Sequence, residues 1–216
     1  MLWSALDEDT ADAAIAEQVR WLAGPEGVGR EFEWKLYAHD RPADLGARLL
    51  AAGFTPEPAE TLMVAEVAAL PLDVQPPAGV RLEPVTDAAG LALMAEVHAG
   101  AFGGDDSRLN ARLLDQLTHR PDALTAVVAM AGERPVSSAR MEFHPGTDFA
   151  SLWGGGTVPA WRGRGIYRAL IAHRARIAAA RNIRYLQVDA SDDSRPILRR
   201  LGFAPLGVTT PYLLQG

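Results

Sequence analysis

Apolar residues recur at helical spacing over residues 10–22, where Ala11, Ala14, Ile15, Val19 and Leu22 fall on one face and predict an amphipathic helix. The run Gly24-Pro-Glu-Gly-Val-Gly29 stops it. Glu31–Tyr37 then alternates charged and apolar positions, a period of two that predicts a strand with Phe32, Trp34 and Leu36 on one face. Residues 41–52 predict a short helix stopped by Gly53-Phe54, and residues 60–67 predict another strand. Pro71, Pro76 and Pro77 mark a linker, so the pattern divides the chain into an N-terminal α/β segment, 1–78, and a larger part, 79–216.

The larger part opens with a strand at 79–83, and Thr86-Asp87 offers a cap for a helix reaching about His98. A loop follows at 100–106, then a helix at 109–118 and strands at 123–130, 135–143 and 149–157. A helix at 165–181, a strand at 184–189, a helix at 192–201, Gly202-Phe203 and a final strand pair complete the order. Such an order predicts an α/β protein of α+β type with a mixed sheet.

Helix, strand, helix, Gly-Phe and strand occur in that order in both parts, and a shift of 149 residues superposes Gly53-Phe54 on Gly202-Phe203. Two readings stand side by side. Either the N-terminal segment is a degenerate half-repeat of the larger part, or two α/β segments resemble each other by chance.

Charge separates the two parts. Residues 1–78 hold 14 Asp and Glu against 5 Arg and Lys, a net −9, whereas residues 79–216 hold 13 against 16, a net +3. Cysteine is absent, which excludes disulfides, thiolate metal sites and a cysteine nucleophile. The five histidines form no metal-binding pair, so no metal site is expected. No apolar run approaches the roughly 18 residues of a membrane span, and the N-terminus is acidic where a signal peptide is basic. A cytoplasmic protein that does not bind a membrane is the expectation. Nucleic acid is not expected as a partner either, because the arginines lack interleaved aromatics and the whole chain is acidic.

The most informative stretch is Gly155-Gly-Thr157-Val-Pro-Ala-Trp-Arg162-Gly163-Arg164-Gly165-Ile166-Tyr167, a Gly-rich turn running into a helix. Gly163 and Gly165 permit left-handed backbone and close approach of a ligand. The helix start offers unpaired N–H groups and the positive end of its dipole, and Arg162 and Arg164 add permanent cations, a combination suited to a phosphorylated ligand. Ten arginines and three aspartates between residues 158 and 200 reinforce that field. A nucleotide P-loop is excluded, since Lys35 is the only lysine. A dinucleotide fingerprint fails because Arg168 occupies the third glycine position.

Arg162-Gly-Arg-Gly165-Ile-Tyr167 resembles the acyl-coenzyme A turn of the GNAT superfamily of N-acetyltransferases, and the run-in Thr157-Val-Pro-Ala-Trp and the later Leu201-Gly202-Phe203 agree with it. Over about residues 79–216 the resemblance implies a GNAT acyl-CoA N-acyltransferase fold, with 1–78 as a smaller α/β appendage. It implies acetyl-CoA as cosubstrate, held by Gly155, Gly156, Thr157, Arg162, Gly163, Arg164, Gly165, Ile166, Tyr167, Ser191 and Ser194. The implied reaction moves an acetyl group directly to a small-molecule or peptide amine; the other reading is a non-catalytic acyl-CoA-binding or protein-interaction module. Tyr167 departs from the family's Gly or Ala, and either narrows the site or points away. The family's leaving-group tyrosine is replaced by Leu198 and its asparagine by Ser191, which makes Tyr212 the first substitute acid, with Tyr167 and Ser194 behind it. Glu142 and then Glu96 stand as base by their order along the chain. Trp153 is an acceptor-pocket wall or a core residue. As half of a fold, 1–78 must pack on the rest of the chain or on a second copy in a homodimer.

Overall fold

The computed structural model describes residues 5–103 and 107–216; residues 104–106 of the expected loop lie outside the described residues. Two compact units emerge, and no single cut divides them. Unit 1 takes the chain up to Met63 together with Asp189–Pro196 and Pro205–Gly216, and unit 2 takes Val64–Val188 and Ile197–Ala204. The proline-marked stretch at 71–77 thus falls inside unit 2.

In unit 1, α1 (Ala11–Ala23), β1 (Glu31–Tyr37), α2 (Leu45–Ala51) and a two-residue β2 (Thr55–Pro56) precede the start of β3 (Glu60–Glu66). The predicted final strand pair is instead one long strand, β9 (Ala204–Gln215), which pairs antiparallel with β1 in the register Trp34↔Tyr212. A second strand is unnecessary there, because β1 supplies the partner. Alternation along β1 works as the sequence pattern predicts: Trp34 is fully buried among Ala11, Ile15, Leu45, Leu49 and Phe54. Its ring meets Phe54 edge-on, 6.4 Å between centroids and 88° between planes.

The opposite parity of β1 carries Glu31, Glu33, Lys35 and Tyr37. Lys35 is buried and forms ion pairs with Glu60 and, at 3.1 Å, with Asp189 Oδ2. Burial pulls the ammonium pKa down, but Asp189 and Glu60 outweigh it and the net shift is upward. Tyr37 donates to the same Asp189 oxygen at 3.5 Å, and burial followed by that carboxylate raises its pKa.

The Gly-Phe stops of the two segments match in detail. Gly53 and Gly202 both have left-handed φ, +93° and +106°, and end helices of seven residues, α2 and α6 (Arg195–Leu201). Phe54 N–H donates to Leu49 at 3.1 Å and Phe203 N–H to Leu198 at 3.0 Å, the same pair under the 149-residue shift.

Unit 2 contains β4 (Val80–Val85), α3 (Ala88–Phe102), α4 (Ser107–His119), β5 (Leu124–Ala131), β6 (Arg134–Phe143), β7 (Phe149–Thr157), α5 (Ile166–Ala180) and, as far as Val188, β8 (Tyr185–Ala190), with strand order β8-β7-β6-β5-β4. Neighbours from β4 to β7 are antiparallel, and β7 and β8 are parallel, joined through α5 as a parallel pair requires. Asp87 caps α3 by accepting from Gly90 N–H at 2.9 Å, and α3 runs on to Phe102, taking the first residues of the expected loop. The apolar run of β5 from Ala126 to Ala131 reflects burial on both faces. Leu124, Ala126, Val128 and Met130 meet Leu91, Met94 and Val97 of α3 and Leu113 of α4, while Val127 and Ala129 meet Ile166 and Leu170 of α5. Helix–sheet–helix layering therefore fixes where α5 begins.

Replacing Trp34 by Ala removes the largest side chain of the unit 1 cluster, and is expected to lower unfolding free energy by about 3–5 kcal/mol in urea titration. His173, half-buried on α5, has its pKa lowered from 6.5 by burial, then by Arg176 and Arg174. The unfolded chain thus binds this proton more readily, so the associated stability is complete above about pH 6.5 and is lost as pH falls below it. His173→Gln is expected to flatten that part of the stability profile between pH 7 and 5; an unchanged slope overturns the assignment.

Candidate functional site

Position in the sheet sets the geometry of β7. It pairs with β6 from Phe143↔Ala150 to Arg140↔Trp153, then resumes at Ser138↔Gly156, leaving a bulge at Gly154 and Gly155. Gly154 takes φ +56°. A Cβ on Gly155 would sit 2.9 Å from Tyr167 Cε2, and one on Gly156 would sit 2.6 Å from Phe102 Cε2, so the rings of α5 and α3 lie close against both glycines. On its other edge β7 pairs in parallel with β8 only from Phe149↔Tyr185 to Ser151↔Gln187. Residues 152–157 run past that ladder.

The end of β7 is held from two sides. Ser137 Oγ donates to Gly156 O at 2.5 Å and lies 2.8 Å from Thr157 Oγ1. Arg162 Nε donates to Thr157 O at 3.0 Å, and one of its terminal nitrogens donates to Ala101 O at 3.1 Å. The guanidinium of Arg162, which the resemblance implies as a cofactor contact, also fixes the turn to β7 and α3 through these two bonds. Arg164 lies over the Trp161 ring, 4.5 Å from its centroid.

Gly163 and Gly165 have φ of +74° and +85°, and no atom comes within 4 Å of a Cβ built on either. The left-handed Gly165 is the N-cap of α5, so the first N–H groups of α5 face the turn without intrahelical partners. Ile166 is buried in the core and anchors the helix start. Tyr167 settles its two alternatives by turning its ring onto Gly155 of β7, which leaves the glycines of the turn open. Burial raises the Tyr167 pKa, and nearby Arg174 opposes the rise.

Arg174, one of the ten arginines between residues 158 and 200, is buried on α5. It is 1% exposed, donates to Leu170 O at 3.1 Å and Arg140 O at 2.9 Å, and burial lowers its pKa to about 10. Its i, i+4 spacing from Leu170 on the apolar stripe was the available signal. Arg176 bonds Leu72 O at 2.6 Å and Arg181 bonds Asp122 O at 2.8 Å, so part of the positive charge serves as clamps.

Among the proposed catalytic residues, Glu142 pairs with Arg140 at 3.2 Å and stands opposite Ser151, where the β7–β8 ladder ends. Glu96 is exposed on α3. Trp153 is half-buried with the Arg140 guanidinium 5.8 Å from its ring centroid. Leu198, at the family's tyrosine position, is fully buried. Tyr212 belongs to unit 1, where it packs on the Trp34 cluster with its hydroxyl 2.8 Å from the Cβ position of Gly46. Ser191 and Ser194 also belong to unit 1, and their hydroxyls lie 3.2 Å apart. The residues brought together in unit 2 are therefore Gly155, Gly156, Thr157, Arg162, Gly163, Arg164, Gly165, Ile166 and Tyr167. Among the described residues no cluster suits a metal ion, and no helix is long and apolar enough to cross a membrane.

Solved structures share this fold. A GCN5-related N-acetyltransferase from Kribbella flavida superposes with a TM-score of 0.71 at 21% identity, over 98% of this chain and 78% of that one. One from Sphaerobacter thermophilus gives 0.59 at 18%, over 91% and 63%. A tandem GNAT protein from the clavulanic acid biosynthesis pathway gives 0.60 at 16%, over 85% and 63%. No curated protein sequence matches significantly. The acetyltransferase (GNAT) family matches residues 91–203, more than half of the 216, and these span α3 to Gly202-Phe203 and include the whole turn. The chain belongs to the acetyltransferase (GNAT) family.

Proposed function

We propose that the protein is an N-acetyltransferase that uses acetyl-CoA and acylates an amine by direct transfer in a ternary complex. The observation that carries this reading is the departure of β7 from β8 beside a helix capped by a left-handed glycine. Together they offer an extended row of backbone donors and acceptors leading to an anion-binding turn. The fit is specific. Open space at Gly163 and Gly165 admits a pyrophosphate to the N–H groups of α5, and the edge of residues 152–157 suits the amides of a pantetheine arm.

When bound, acetyl-CoA supplies an activated thioester. The amine nitrogen forms the new C–N bond, the C–S bond breaks, and the proton lost by the amine balances the one gained by the thiolate. A thiol pKa of roughly 8.5 makes the thiolate a tolerable leaving group, so the buried Leu198 and packed Tyr212 do not preclude transfer. They do favour a second reading, a non-catalytic acyl-CoA-binding module. Thiol release measured over a panel of primary amines separates the two: acetyl-CoA binding with no turnover on any amine supports the module.

Gly165→Val forces a β-branched residue to φ +85° and is expected to abolish CoA binding in calorimetry, with a folded circular-dichroism spectrum retained. Unchanged affinity in a folded variant would falsify the placement of the turn. Arg162→Ala and Arg164→Ala are expected to part ways. Losing the Arg162 clamp costs stability, about 1.5–3 kcal/mol, as well as affinity, whereas the Arg164 change weakens binding alone.

A further inference from the structure

A buried cation calls for a counter-charge, and among the described residues no carboxylate acts on Arg174. Its guanidinium bonds two backbone carbonyls, Leu170 O on its own helix and Arg140 O on β6, and the charged neighbour from the sheet, Arg140, is a second cation. An apolar side chain of similar length would join α5 to the sheet without the cost of burying a charge. The charge itself therefore needs a reason.

Tyr167 supplies one. It precedes Arg174 by seven residues, about two turns of α5, so the two side chains share a face. The bond from Arg174 Nε to Leu170 O turns the guanidinium back along the helix toward Tyr167. Arg174 is the charged group that bears on the Tyr167 phenol, and no hydrogen bond among the described residues engages the hydroxyl. The ring rests on the β7 bulge, with Cε2, Cδ2 and Cζ at 2.9, 3.7 and 3.8 Å from the Cβ position of Gly155. Cζ carries the hydroxyl, so the oxygen end of the ring reaches the bulge. The bond to Arg140 O sets Arg174 beside Trp153, the cross-strand partner of Arg140. Phenol and guanidinium thus stand along residues 153–155, within the segment that the acyl arm follows on the N-acetyltransferase reading.

We propose that Tyr167 is the acid of the transfer and that Arg174 is its positioning residue: Tyr167 gives its phenolic proton to the departing sulfur, and the buried cation holds the tyrosinate. This rests on the N-acetyltransferase reading. The phenolic O–H bond breaks as the S–H bond forms, and the proton released by the amine restores the phenol through solvent. While it lasts, the tyrosinate is the counter-ion of Arg174. Burial raises the phenol pKa and Arg174 opposes the rise, which lowers the cost of giving up the proton.

Tyr167→Phe keeps the ring on Gly155 and removes the oxygen. With saturating amine it is expected to lower kcat about tenfold to a hundredfold, to change KM for acetyl-CoA less than about twofold, and to lose the fall of kcat at high pH. Arg174→Met is expected to lower kcat and move that fall to higher pH, and Arg174→Lys to restore most of both. A second readout needs no turnover. In the ligand-free full chain labelled with carbon-13 at tyrosine Cζ, the resonance missing from Tyr167→Phe is expected to titrate about one unit higher in Arg174→Met than in the native protein. Unchanged kcat in folded Tyr167→Phe, or the same Tyr167 titration with and without the Arg174 charge, overturns the proposal. Tyr167→Phe decides the acid even where Arg174→Met does not fold. Native protein that acetylates no amine sinks the enzyme reading and the acid with it, whereas turnover indifferent to Tyr167→Phe sinks the acid alone.

Discussion

Everything about the unit 2 site depends on β7 being paired with β6 along most of its length and with β8 for three residues only. Backbone N–H and C=O groups seek partners, and a strand that leaves its neighbour in mid-sheet needs a cause. The bulge at Gly154 and Gly155 supplies one, because it changes the course of the strand at the point where the β8 ladder has ended. Gly155 is then closed off by Tyr167 and Gly156 by Phe102, so helices on both faces hold the diverging segment in place. Ser137 and Arg162 secure its end.

Much of this is legible in the sequence, for identifiable reasons. Glu31–Tyr37 and Phe149–Thr157 are predicted to the residue, since strict alternation and a glycine terminus leave little freedom. The left-handed Gly163 and Gly165 follow from a turn that only glycine enters easily. What fails to show is long-range. β9 is misread as a strand pair because its partner β1 lies some 170 residues earlier, and no local pattern announces such a pairing. Arg162 is read by its charge, and its bonds to the carbonyls of Thr157 and Ala101 depend on the helix entry, which no local pattern announces. Lys35 looks like one more solvated strand residue, and it is the buried centre of an ion cluster.

Unit 1 and the C-terminal segment stop their short helices with the same hydrogen bond, from Phe54 to Leu49 and from Phe203 to Leu198. A left-handed glycine followed by a buried phenylalanine turns the chain back under its helix, and both copies use it to begin a strand. The N-terminal segment has no Gly-rich turn before its helix, which is where the two segments part.

The pairing of β1 with β9 has a temporal side. Glu31 meets Gln215 and Tyr37 meets Thr209, so β1 leaves the ribosome more than 170 residues before the strand that completes its sheet. At about 5–20 residues per second, that is roughly ten seconds to half a minute with an open strand edge. An apolar strand left open for so long would template aggregation. Glu31, Glu33 and Lys35, spaced along one face of β1, place charges along the open strand, the kind of pattern that opposes such pairing.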